Sequence, residues 1–253
     1  MKGHDIRREG SDSDIFRAFN EHVSGAATCV PVFCNDVYDT NLAFTYCHRV
    51  VDENLRDEMR LRLMVLGEGV AHRFSVGLSY SDCEYLSLKS LLGVGSFKGV
   101  CFAWSEHERD GSGFKAGDVR LAVAFYAYYV REGDVTTIDY VHASPGFSNY
   151  YRQRPFLVSG PGDTVSGIVC APTDAYRNTP ARLTYTFGLQ APNARVVHRK
   201  IDVPFTPALW VDLAELFGME FEPNAPYTYG VEGPKGKGWL LIETARDFNL
   251  HHL

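Results

Sequence analysis

Nowhere in this chain of 253 residues do about 18 apolar residues run together, so no segment reads as a membrane-spanning helix. The longest apolar run, "LAVAFYAYYV" from Leu121 to Val130, is too short for that and reads as a buried strand. Basic charge is also scarce: 25 Lys and Arg stand against 31 Asp and Glu, a formal net charge of −6. A sequence-independent grip on nucleic acid needs the opposite balance, because Lys and Arg must replace the counterions of the phosphate backbone. The start, "MKGHDIRREGSDSDIF", has no apolar core of the kind a secretory signal carries. Cytoplasmic residence is therefore expected, with the six cysteines as reduced thiols.

Catalytic and metal-binding signatures are missing too. No Cys-x-x-Cys or His-x-x-x-His spacing accompanies Cys29, Cys34, Cys47-His48, Cys83, Cys101 or Cys170, so no metal and no cofactor is expected. "GVCFAWSEHERD" gathers Cys101, Glu106, His107 and Glu108, but without diagnostic spacing its charges read as the solvated end of a strand. No Gly-x-Ser-x-Gly elbow occurs. "GVGSFKG" and "GPKGKG" combine glycine with lysine as phosphate loops do, yet both lead into β patterns and read as hairpin connections.

What is present is β character. Apolar residues make up 45% and charged residues 22%, enough to build a large core. One short helix is expected in "DSDIFRAFNEHV", capped by Asp12 or Ser13, with Phe16, Phe19 and Val23 on one face. Beyond it, β-branched and aromatic runs alternate with Gly, Pro, Asn and Asp. In "MRLRLMVL", Met59, Leu61, Leu63 and Val65 face one way and Arg60 and Arg62 the other, the pattern of a strand with one wet face. "LAVAFYAYYVRE" and "VTTIDYVHAS" flank Gly133-Asp134 and read as a hairpin.

The chain also repeats itself. "VAHRFSVGLSYSDCEYLSLKSLLG" at 70–93 is echoed by "VVHRKIDVPFTPALWVDLAELFG" at 196–218. Before the echo, "VFCND" matches "IVCAP" and "RLRLMVL" matches "RLTYTFGL"; after it, "FKGVCFAW" matches "GKGWLLIE". Matches in one order point to an internal duplication. The expected architecture is all-β: two related antiparallel β-sandwich units and a short N-terminal helix. Short strands with polar turns resemble immunoglobulin-like modules in architecture, without the Cys–Trp–Cys pattern of antibody domains. The expected parts are a flexible leader with the helix at 1–24, unit 1 at 25–111, a connecting hairpin and aromatic loop at 112–154, and unit 2 at 155–248. A single jelly-roll-like sandwich is the alternative.

The repeated His72-Arg73 and His198-Arg199 suggest cationic donors for an anion. Strand neighbours point to opposite faces, however, so the members of a pair do not line one pocket. Aromatics offer a better lead. Phe125 and Tyr129 share one face of the 121–130 run and Tyr126 and Tyr128 the other, so both faces need a cover. "FSNYYRQRPF" adds Tyr150, Tyr151, Arg152 and Arg154, a combination that suits recognition surfaces. The expected function is a non-catalytic cytoplasmic binding or assembly protein, self-associating or bound to a protein partner through Tyr126, Tyr128, His142, Tyr150, Tyr151, Arg152 and Arg154. A small-molecule ligand is admitted; nucleic acid and membrane insertion are not. The rival expectation is an enzyme acting on a carbohydrate or other small polar substrate between the units, with His142 near its centre.

Thiol titration of the unfolded, non-reduced protein is expected to count six free cysteines. A count of four or fewer would contradict a reducing compartment.

Overall fold

Period-two alternation in the sequence becomes antiparallel sheet throughout the computed structural model. It describes residues 6–23, 27–45, 58–67, 69–79, 83–107, 119–122, 125–132, 134–141, 154–158, 163–173, 175–178, 180–245 and 248–252. The protein is mostly β, in several antiparallel sheets, as expected. The chain divides into two compact units, 1–146 and 147–253.

In the first unit, β1 (Ile6–Asp12) is followed by helix α1 (Ile15–His22). Then come β2 (Thr28–Cys34), β3 (Tyr38–Thr45), β4 (Glu58–Gly67), β5 (Val70–Ser79) and β6 (Cys83–Ser87). After helix α2 (Leu88–Leu92) the unit continues with β7 (Phe97–His107), β8 (Val119–Ala122), β9 (Phe125–Arg131) and β10 (Asp134–Val141). One sheet has the order β1-β5-β4-β7-β2, with β8 also paired to β7; the other has the order β10-β9-β3-β6.

The two sheets are tied by side chains. Tyr129 on β9 donates its hydroxyl to the Pro31 carbonyl on β2 at 3.0 Å. Thr40 on β3 accepts from the Phe33 amide at 2.9 Å and donates to the Phe33 carbonyl at 2.8 Å. Leu42, Phe44, Leu61, Leu63, Val65, Phe74, Val76, Phe125 and Ala127 are all buried.

Four sequence expectations change here. The run Leu121–Val130 is not one strand: β8 ends at Ala122 in the first sheet and β9 starts at Phe125 in the second. Arg60 and Arg62 do not mark an open face. Met64 and Leu66 on the same side are buried, and α1 covers that side with Phe19 edge-on to Phe102 at 5.1 Å. Residues 6–12, read as part of a polar leader, form β1. This strand is held by backbone pairing to β5, with a bulge between Arg8 and Gly10, rather than by apolar alternation. The helix is capped by Asp14 instead of Asp12 or Ser13; its carboxylate accepts from the Arg17 amide at 2.9 Å.

In the second unit, the strands are β11 (Arg154–Val158), β12 (Asp163–Ala171), β13 (Arg182–Gln190), β14 (Val197–Pro204), β15 (Leu209–Asp212), β16 (Pro226–Glu232), β17 (Lys237–Thr244) and β18 (Phe248–His252). Helices α3 (Ala175–Asn178) and α4 (Leu213–Phe217) interrupt them. The sheets run β11-β16-β13-β14 and β15-β12-β17-β18. One core takes residues from both: Ile168, Cys170 and Val211 with Leu183, Tyr185, Phe187, Leu189, Tyr227, Tyr229 and Val231.

The echoed segments share local structure. β4 pairs with β5 and β13 with β14; β2 pairs with β7 and β12 with β17. Both "CEYLSLKSLLG" and "LWVDLAELFG" make a strand, a five-residue helix and a left-handed glycine, Gly93 at φ 70° and Gly218 at φ 64°. Ser87 and Asp212 cap these helices, accepting from Ser90 and from Ala214 and Glu215. Sheet order differs: β4 lies between β5 and β7, whereas β13 lies between β14 and β16, and β6 joins β3 whereas β15 joins β12.

A left-handed backbone costs an L residue about 1–2 kcal/mol. Gly93→Ala and Gly218→Ala are each expected to lose about 1 kcal/mol in urea unfolding. Gly77→Ala, with nothing within 4 Å of an added Cβ, is the control and is expected to change stability by less than about 0.5 kcal/mol.

Candidate functional site

The aromatic surface starts from β9, where Phe125, Ala127 and Tyr129 are buried and alternation sends Tyr126 and Tyr128 to the other face. Tyr126 is 46% exposed. In register, Tyr126 lies opposite Ala43 on β3, and Ala43 lies opposite Tyr85 on β6. The small Ala43 separates two tyrosines, and Tyr85 leans to Tyr128 at 5.7 Å between ring centroids; Tyr126 is 6.3 Å from Tyr128. Tyr85 is 51% exposed. Burial of part of its ring, with Asp39 and Tyr128 adding, holds its phenol above the ordinary value, so it stays a neutral donor. Asp39 fixes the end of β6: it accepts from the Ser87 hydroxyl at 2.6 Å and the Lys89 amide at 3.0 Å.

Tyr85 was missed in the sequence. Its strand "CEYLS" is short, and only cross-strand register brings it beside β9. Of the other residues expected in a site, His142, Tyr150, Tyr151 and Arg152 lie outside the described residues. Arg154 opens β11, where its backbone pairs with Tyr229.

The two His-Arg pairs split as strand geometry requires. His72 meets Ser11 and Arg8 of β1 through Nδ1, at 3.0 and 3.1 Å. Arg73 lies with the opposite set and donates from Nη1 to His22 Nε2 on α1 at 2.7 Å. In the second unit, His198 borders a trough on the sheet surface, while Arg199 sits 5.6 Å over the Phe217 ring.

Arg73 and His22 belong to a charged cleft of about 160 Å³ lined also by Glu9, Glu21, Arg62, Trp104 and Glu106. Arg62 is its hinge, donating from Nε to Glu106 at 2.7 Å and from Nη1 to Glu9. Glu106 is therefore not the solvated strand end that the sequence suggested: it is 9% exposed and neutralised across the β4–β7 ladder. The cleft fastens β1 and α1 to the sheet.

Thiol chemistry is suppressed at Cys34, Cys101 and Cys170. Cys29, Cys34, Cys101 and Cys170 are free and buried. Burial pushes the Cys34 thiol up to about 12 and raises those of Cys101 and Cys170 further, so thiolate nucleophiles are scarce there at neutral pH. The glycine-lysine stretches lead into β7 and β17 and open no helix. Among the described residues, no three His, Cys, Asp or Glu side chains are grouped to hold a metal ion, and no helix is long and apolar enough to cross a membrane.

No protein-family model matches the chain, and no curated protein or solved structure does either.

Burial, and then the charge of Arg73, holds the His22 pKa below its ordinary 6.5. Burial and Arg8 act the same way on His72. The unfolded chain thus binds protons that the folded protein refuses. Stability is expected to be full above about pH 6.5 and to fall as the pH drops below it. Thermal melts between pH 8 and 5 check this. His22→Gln is expected to flatten part of the slope; an unchanged slope would refute the assignment.

Proposed function

We propose that this protein is a non-catalytic cytoplasmic binding or assembly protein that self-associates through the tyrosine face of β6 and β9. The observation that carries the reading is the contiguous set Tyr85, Tyr126 and Tyr128, with two of its rings about half exposed. Tyrosine offers large contact area, few rotatable bonds and a hydroxyl, a combination enriched at interface centres. A second copy suits such a face, because a twofold axis places identical patches against each other and lets rings pack edge to face.

The scaffold in this reading is two immunoglobulin-like sandwich units descended from one by duplication. Support comes from the paired hairpins β4–β5 and β13–β14, and from the strand–helix–glycine elements ending at Gly93 and Gly218. The different sheet orders then record divergence after duplication.

Burying an aromatic side chain is worth about 1.5–3 kcal/mol. Tyr126→Asp together with Tyr128→Asp is expected to leave the circular dichroism spectrum unchanged and to weaken self-association at least about tenfold by light scattering. A wild type that stays monomeric at high concentration and binds nothing would overturn the reading.

A further inference from the structure

The outer face of β13 and its neighbours carries a second surface, independent of the tyrosine face. Leu183, Tyr185, Phe187 and Leu189 point into the core, so Thr186, Gly188 and Gln190 point outward. Register places Gly188 directly opposite both Gly230 on β16 and His198 on β14. Two glycines side by side inside a sheet leave a bare backbone floor. The trough above it has a volume of about 500 Å³ and is rimmed by Thr186, Gln190, Val196, His198, Thr228 and Glu232. His198 leans over the floor: a Cβ built on Gly188 would lie 3.3 Å from its Nδ1.

Glycine inside a strand costs about 0.5–1 kcal/mol relative to alanine, and it marks places where a ligand or backbone comes close. We propose that this trough binds an uncharged sugar ring. The floor offers peptide and Cα–H surface, with the His198 ring and a Val196 methyl beside Gly188, and this apolar surface fits the C–H face of a pyranose. Among the described residues, Glu232 is the one formally charged residue of the rim, which disfavours anions there. The rim is rich in acceptors. Gln190 spends its Nε2 on the Ala194 carbonyl at 2.9 Å, which leaves its Oε1 to accept, and Glu232 accepts as well. Thr186 presents a hydroxyl. A ligand with a ring of O–H donors answers that set, and the volume lies in the range of ligand sites.

The test is a titration of the full ¹⁵N-labelled chain with methyl β-glucopyranoside, methyl β-galactopyranoside and methyl α-mannopyranoside at millimolar concentrations. At least one is expected to shift the amides of 186–190, 196–198 and 228–232. Gly230→Val, which fills the floor, and Glu232→Gln are each expected to weaken the effect about tenfold with unchanged circular dichroism. If Gly230→Val unfolds, Thr186→Ala replaces it. Absence of shifts with all three glycosides, shifts confined elsewhere, or the same amides answering only to butylammonium or indole would overturn the proposal. Self-association plays no part in the readout, so this result and that of the tyrosine variant stand apart.

Discussion

Both surfaces follow from one constraint, the strict alternation of side chains along a strand whose other face is buried. On β9 the core takes Phe125, Ala127 and Tyr129, and the two remaining tyrosines must point away from it. On β13 the core takes Leu183, Tyr185, Phe187 and Leu189, and the threonines, glycine and glutamine must point away. A shift of one residue in either register would expose the apolar set, so the outward residues are held in place by the burial of the inward ones. Both proposed surfaces are built on the positions the core leaves over.

The same economy explains the charged cleft. Met64, Leu66 and Phe102 make the second face of β4 and β7 too apolar to leave open, and α1 closes it with Phe19. Arg62, Arg73 and Glu106 share that covered side, so their charges need partners. Glu106 and Glu9 answer Arg62, and His22 accepts from Arg73 as a neutral ring. A protonated His22 would face Arg73 at contact distance, which explains why acid is expected to loosen this corner before it reaches the carboxylates. Glu21, 3.8 Å from His22, opposes that loss only in part, because it is largely exposed.

The all-β character, the hairpin β9–β10 and the N-terminal helix were legible in the sequence, because each rests on local chemistry; the two glycine-closed helices were not, since "YLSLKSL" and "LWVDLAEL" read as strands. What else was not legible depends on distant partners. Nothing in "IRREGSD" announces a strand, since β1 owes its place to the backbone of β5. The break between Ala122 and Phe125 lies inside an unbroken apolar run, and only membership of two sheets reveals it. Tyr85 and the Gly188–Gly230 pair gain meaning from cross-strand register, which no single segment contains.

The echoed His-Arg pairs show how far a shared phrase reaches. Both sit on the second strand of a hairpin, and in both the two side chains part to opposite faces. In the first unit β5 is interior, flanked by β1 and β4, and α1 closes over the side that holds Arg73. In the second unit β14 is an edge strand and its residues from Val197 to Lys200 are exposed. There His198 turns to the trough, and Arg199 covers the phenyl ring of Phe217. Identical residues thus become an internal fastening in one unit and a rim in the other. The difference is the neighbouring strand, because an added strand turns an edge into an interior and changes what a side chain can meet.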